Sequence, residues 1–279
     1  MSRFMKRLLI GFHRHPIRVA VETGVAFAAF WTLVDASQAF LQFSLGGWPR
    51  FLMLIALSVL TGAWRAAPSG SRTVRIPGSN SRLTVVYADL FSERGIVAVP
   101  VNEYFDCLLG AHVSARSVHG QAITTLFAGD AALFELRVDE ALAHAPSQLV
   151  TRPSGRQRRY PIGTTAYLAT GKPSVIAFVL TTTDTVSLKV SADVPQMWQA
   201  LHGLWAGARI HCNDRPLSVP LIGGGLSGVG LSPQHLLSLL VISAATEMRR
   251  NRICADIRIC LLESVRSATD IDSALQLVQ

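Results

Sequence analysis

Val219 to Leu240 read VPLIGGGLSGVGLSPQHLLSLL. A short apolar run from Ser218 to Ile222 ends in Gly223, Gly224 and Gly225, Gly228 follows after Leu226 and Ser227, and Ser232-Pro233 opens a helical pattern that runs to about Arg250. Glycine lets the backbone turn where a Cβ would clash, and Ser before Pro is a helix start, so the unit reads strand, loop, helix. Loop amides and a helix N-terminus then face one space, which is an anion cradle. Gly223-x-Gly225-x-x-Gly228 formally matches a dinucleotide fingerprint, but no acidic residue closes a following strand about 20 residues on, and no lysine stands where a P-loop needs one. A purely structural glycine turn is the competing reading.

Outward from this unit, Ala255–Leu262 (ADIRICLL) gives one more strand on the C-terminal side. On the N-terminal side, Leu83–Ala88 (LTVVYA) and Ile96–Val101 (IVAVPV) are β-branched runs, and Gly163–Thr170 with Ser174–Thr181 form a hairpin around Gly171-Lys172-Pro173. Asp193 offers an N-cap to a helix that carries Trp198 and Trp205. Hairpins mixed with strand-helix-strand units predict an α/β fold, a mixed sheet with helices on both faces. Asp89 directly follows the first strand and Asn102 the second, where α/β sheets bind ligands. An Asp in a turn and an Asn capping a helix would look the same.

The 279 residues are 49% hydrophobic and 16% charged, with a formal charge of +8. That excess is localised. Arg3, Lys6, Arg7, Arg14 and Arg18 lie before or at the start of one apolar run, Arg65, Arg72, Arg75 and Arg82 follow a second, and from Leu83 onward 16 Lys/Arg balance 16 Asp/Glu. A neutral globular part gives no footprint for a polyanion, so nucleic acid is excluded as a partner. Ile17–Val34 with its continuation to Phe43, and Phe51–Trp64 with flanking Trp48 and Arg65, read as a transmembrane hairpin turning at Gly46, Gly47 and Pro49. Asp35-Ala36-Ser37-Gln38-Ala39 is a poor signal-cleavage context. Basic residues outside the turn put both termini in the cytoplasm. The expected organisation is a hairpin over residues 1–65, a Pro/Gly/Ser/Arg linker over 66–81 and a soluble domain over 82–279. Cys107, Cys212, Cys254 and Cys260 show no CxxC spacing, which excludes the common zinc sites and suits buried, reduced thiols.

Val85–Phe91 (a strand followed by Asp-Leu-Phe), PVNEYFD at Pro100–Asp106, SVHG at Ser117–Gly120, YPIGTTAYL at Tyr160–Leu168 and PLIGGGLSG at Pro220–Gly228 together resemble a macro domain. With the preceding hairpin, they are similar to the divergent macro domains of type II Thoeris antiphage systems, over about residues 82–263. The resemblance implies an ADP-ribose-type ligand and no cofactor, metal or catalytic residue. Asp89, with Leu90 and Phe91 after it, matches the acid that reads the adenine amino group. Gly223, Gly224, Gly225, Leu226, Ser227 and Gly228 match the loop around the diphosphate, and Asn102 matches the first Asn of the family's VNAAN element. Asp106, His119, Thr164 and Thr165 fall in motifs near the site. Phe105 stands where the family has a second Asn, and CLLGAHVSARSVHG replaces its glycine-rich stretch, which implies a receptor in place of a hydrolase. The implied setting is a multi-pass protein of the bacterial inner membrane. A TIR-domain enzyme supplies the signal, a histidine conjugate of ADP-ribose, and the occupied protein assembles as a homo-oligomer that breaches the lipid bilayer in abortive infection. The alternative is a membrane-tethered hydrolase of ADP-ribosylated substrates.

Overall fold

The computed structural model describes residue 12 and residues 16–41, 47–66, 70–171, 173–225 and 228–279. The chain divides into two compact units, Met1–Ser69 and Gly70–Gln279.

In the first unit, α1 (Pro16–Leu41) and α2 (Trp48–Ala66) pack along Val19, Ala26, Leu54, Ser58 and Ala63, all buried. Gly62 makes the approach close, since a Cβ there would fall on the Thr23 backbone, with the amide nitrogen 2.7 Å away. Ion pairs hold both ends: Arg65 lies 3.3 Å from Glu22, and Arg50 bonds Asp35 and stacks over Trp31. Outward faces carry Val21, Leu33 and Phe40 on α1, and Leu52, Met53, Leu60 and Trp64 on α2. By length and composition, Pro16–Gln38 is the one helix among the described residues apolar enough to cross a membrane. The sequence led us to expect two. α2 has 19 residues but opens on Trp48-Pro49-Arg50 and closes on Arg65, which leaves too short an apolar stretch. Of the expected turn, Pro49 lies in the first turn of α2, and Gly46 is outside the described residues.

In the second unit, β1 (Ser71–Arg75), β2 (Arg82–Tyr87), β3 (Ile96–Asn102), β6 (Thr165–Leu168), β7 (Ser174–Thr183), β9 (Leu217–Pro220) and β10 (Asp256–Leu261) form a sheet ordered β1-β2-β10-β9-β3-β7-β6. β8 (Val190–Ser191) pairs the end of β7, and β4 (Gln148–Leu149) pairs β5 (Arg158–Arg159) separately. The five central strands are parallel, in register at Leu83↔Ile257, Ile259↔Val219, Ile96↔Leu217 and Val99↔Ala177. The edge strands β1 and β6 are antiparallel, and β6/β7 is the expected hairpin. β1 corrects the expectation of a linker over 66–81. Only Val74 of SRTVR points inward, which suits an edge strand but leaves no apolar alternation to read.

Helices cover both faces. α3 (Val118–Leu126) and α4 (Ala131–Ala141) pack on Val97, Val99, Val175 and Ala177 through Ile123, Phe134 and Val138. α5 (Val194–His211), α6 (Pro233–Arg250) and α7 (Ile271–Gln276) cover Leu83, Ile96, Phe178 and Ile259. β7 is buried on both sides, as a central parallel strand should be. Asp193 and Gln196 close a capping box on α5, and Trp205 Nε1 donates to Ser243 Oγ of α6 at 2.9 Å. Trp198, seven residues earlier on the same helix, is 43% exposed, so the two tryptophans do not share the core. All four cysteines are free and buried.

Candidate functional site

Because β2, β10, β9, β3 and β7 are parallel and adjacent, their carboxyl ends line one edge of the sheet. A cavity of about 640 Å³ opens along it. Its walls are the residues that follow each strand: Ala88–Phe91 after β2, Leu262 after β10, Leu221–Gly225 after β9, Asn102 at the end of β3, and Leu188–Val190 beyond β7. Adjacent strands lie about 4.8 Å apart, so the ends of β2 and β7 are separated by about 19 Å and those of β2 and β3 by about 14 Å.

Two helix N-termini meet the same space. Ser117 caps α3, its hydroxyl accepting from Gly120 N at 3.0 Å, and Ser117–His119 line the wall. Ser232 caps α6 through His235 N at 3.3 Å, and Pro233 lines the wall. Each terminus presents backbone N–H groups and about half a positive charge, which suits an anion. Gly223 has φ +84°, and a Cβ there would fall 2.8 Å from Val229 and 3.1 Å from Leu236, so this loop needs glycine for its own shape. Gly225 has open space around it.

The predicted residues separate into groups. Asp89, Leu90, Phe91, Asn102, His119, Gly223, Gly224 and Gly225 line the cavity. Leu226 and Ser227 lie outside the described residues, and Gly228 is not in the wall. Asp89 is exposed; its Oδ1 accepts from Phe91 N at 3.1 Å and its Oδ2 from Ser92 Oγ at 3.2 Å, which shapes the turn and leaves lone pairs toward the cavity. Asn102 is largely occupied within the protein. Its Oδ1 accepts from Asp106 N at 3.0 Å and Tyr104 N at 3.3 Å, and its Nδ2 donates to Asp106 Oδ2 at 2.9 Å.

Phe105, Asp106, Thr164 and Thr165 do not reach the cavity wall. Phe105, at φ +50°, is fully buried edge-on to Tyr160. Asp106 is a clasp: it accepts from Arg152 Nη2 and Arg156 N, each at 2.9 Å, and Arg152 stacks over Tyr104 at 4.1 Å. This holds residues 152–156 against the turn. Arg156 also bonds Asp139 of α4, so the basic run over 156–159 is not the freely solvated loop its charge suggests. Thr164 O accepts from Val179 N at 2.9 Å, and the pleat of β6 turns the Thr165 side chain toward Gly207 of α5.

His119 is 5% exposed, its ring centroid is 5.3 Å from that of Phe134, and its Nε2 is buried with no hydrogen-bond partner. Burial pushes its pKa down to about 4, against the pull of Asp106, so the ring is neutral near pH 7. Sequence reasoning missed His112, Arg116 and Lys189, which also line the cavity. They lie on loops, and loop positions carry no periodic signal.

The family model of the Thoeris protein ThsA macro domain matches residues 83–262. No curated protein matches the chain. Among solved structures, the Oceanobacillus iheyensis macrodomain with ADP aligns with a TM-score of 0.50 at 11% identity, over 75% of this chain and 95% of that one. A mutant of the same macrodomain gives 0.48 at 14% identity over 75% and 95%. The Trypanosoma brucei macrodomain in complex with ADP-ribose gives 0.45 at 9% identity over 70% and 68%. The Oceanobacillus iheyensis likeness is one of fold. With a match over well more than half its length, and the sheet and helices that such a domain requires, this chain belongs to the Thoeris ThsA macro-domain family.

Proposed function

We propose that the chain is a membrane-anchored receptor of a bacterial antiphage system, whose macro domain binds an ADP-ribose-derived signal nucleotide made by a TIR-domain enzyme. The candidate signal is a histidine conjugate of ADP-ribose. The observation that carries the reading is the cavity itself: Asp89 at one end, a glycine loop with the α6 N-terminus two strand spacings away, and the α3 N-terminus beyond them. Asp89 can accept from an adenine amino group while the amides cradle a diphosphate. On this reading α1 anchors the chain in the inner membrane with α2 packed along it, and the soluble unit lies in the cytoplasm. The apolar side chains on their outward faces support this, since contiguous exposed apolar surface marks an interaction site. Ligand occupancy then favours a homo-oligomer whose clustered hairpins breach the bilayer.

The test uses the full chain in lipid nanodiscs, with calorimetry of ADP-ribose and its histidine conjugate and chromatography of the same mixture. Binding without breakdown is expected, and Asp89→Ala should weaken it at least about tenfold, the scale of a lost charge-assisted hydrogen bond. In liposomes, dye release should need both ligand and Asp89. Release by Asp89→Ala, or no binding by the wild type, would sink the reading.

One observation favours a second reading, a macro-type hydrolase. The neutral His119 in the cavity wall has a buried Nε2 without a hydrogen-bond partner among the described residues, a position from which it can accept a proton. Product in the chromatogram that disappears with His119→Phe would decide for it.

A further inference from the structure

The charges around the cavity are unevenly placed. Asp89 is the one acidic residue among the described residues of the wall, and it sits at the β2 end. Arg116 comes from the loop that leads into α3, and Lys189 from the turn between β7 and β8, so both lie toward the opposite end. Among the described residues, neither side chain is ion-paired to an acid.

A second observation falls at the same end. His119 Nε2 is buried and unpartnered. Its polar neighbours are engaged elsewhere: the Asp106 oxygens accept from Asn102, Arg152 and Arg156, and Asn102 Oδ1 accepts from two backbone amides. Buried polar atoms are rarely left without a partner, and an orphan in a cavity wall calls for a ligand atom.

We propose that this end of the cavity is an anion subsite beyond the diphosphate cradle, in which Arg116 and Lys189 hold a carboxylate and His119 donates to it from Nε2. The assignment rests on the nucleotide reading above. It adds that the signal is an acid at its far end as well as in its diphosphate. A carboxylate has acceptor positions for three donors from three directions, and a neutral imidazole in the tautomer protonated at Nε2 supplies one of them. Two exposed cations and one buried donor would select for a charged terminus over a plain sugar.

The test is calorimetry with the full chain in nanodiscs and three probes: ADP-ribose, its histidine conjugate, and the same conjugate with the carboxylate converted to an amide. Wild type should bind the acid conjugate more tightly than the amide. The double variant Arg116→Gln/Lys189→Gln should lose about tenfold on the acid conjugate while ADP-ribose and the amide stay within about twofold. Both side chains are exposed, so unfolding midpoints should not move. His119→Phe keeps the ring packing on Phe134 and should lower the same probe selectively, with His119→Gln restoring part of the loss. Equal losses for ADP-ribose and the acid conjugate would mean that the cations serve the diphosphate, and would overturn the subsite alone. No discrimination between acid and amide by the wild type would also overturn it. Failure of the wild type to bind ADP-ribose and both conjugates would overturn the nucleotide reading with it.

Discussion

The Asn102–Asp106 turn and His119 at the start of α3 lie close together, and both carry buried polar groups. They use that polarity in opposite ways. Asn102 and Asp106 spend theirs on the protein, bonding each other, two amides of the turn, Arg152 and Arg156 N. His119 leaves Nε2 unmatched. Burial and polarity alone therefore do not separate a brace from a ligand contact; the count of hydrogen bonds already made does.

The largest effect should come from breaking the brace. Asp106→Ala leaves the fully buried Arg152 without its counter-charge and should cost about 3–5 kcal/mol in denaturant unfolding. A loss under about 1 kcal/mol would place Asp106 with His119. Next is a pH effect on His119 itself. Below pH 6.5 the unfolded chain takes up a proton that the buried ring, held down to about 4, refuses. Stability therefore falls as pH drops from about 6.5 toward 4, by up to about 1.4 kcal/mol per pH unit, and levels off below. His119→Phe should remove that slope, measured as the difference between the two unfolding curves. The smallest effects sharpen the same contrast within the glycine loop. Gly223→Ala forces a side chain into φ +84° against Val229 and should cost about 1–2 kcal/mol. Gly225→Ala meets nothing and should stay within about 0.5 kcal/mol, so any loss of ligand affinity there reports on the ligand.

Much of the fold was legible because its elements carry strong local signals. Ser232-Pro233 starts α6, Asp193 caps α5, and Gly171 and Pro173 lie between the strands of the β6/β7 hairpin, each a matter of a few adjacent residues. β1 was not legible, because one inward Val74 among exposed polar residues resembles a linker. At the site, the strand-end rule found Asp89 and Asn102, and the family motifs added Asp106 and Thr165. Those last two face a brace and a helix. Which way a side chain turns depends on tertiary partners such as Arg152 and Gly207, far off in sequence. Arg116 and Lys189 are assembled from two loops by the sheet order, which no local pattern encodes.

That sheet order has a consequence for how the molecule is made. β10 and β9 lie between β2 and β3, so the inner edge of β2 has no partner until residues 256–261 exist. Contacts this far apart in sequence carry a high loop-closure cost and form late, and meanwhile the edge of β2 is covered only on its outer side, by β1. The cavity is closed by the same strands: Asp89 and the glycine loop come together only when β10 joins β2 to β9. A nascent chain thus has its apolar helices early and this cavity only once residues 256–261 have joined the sheet.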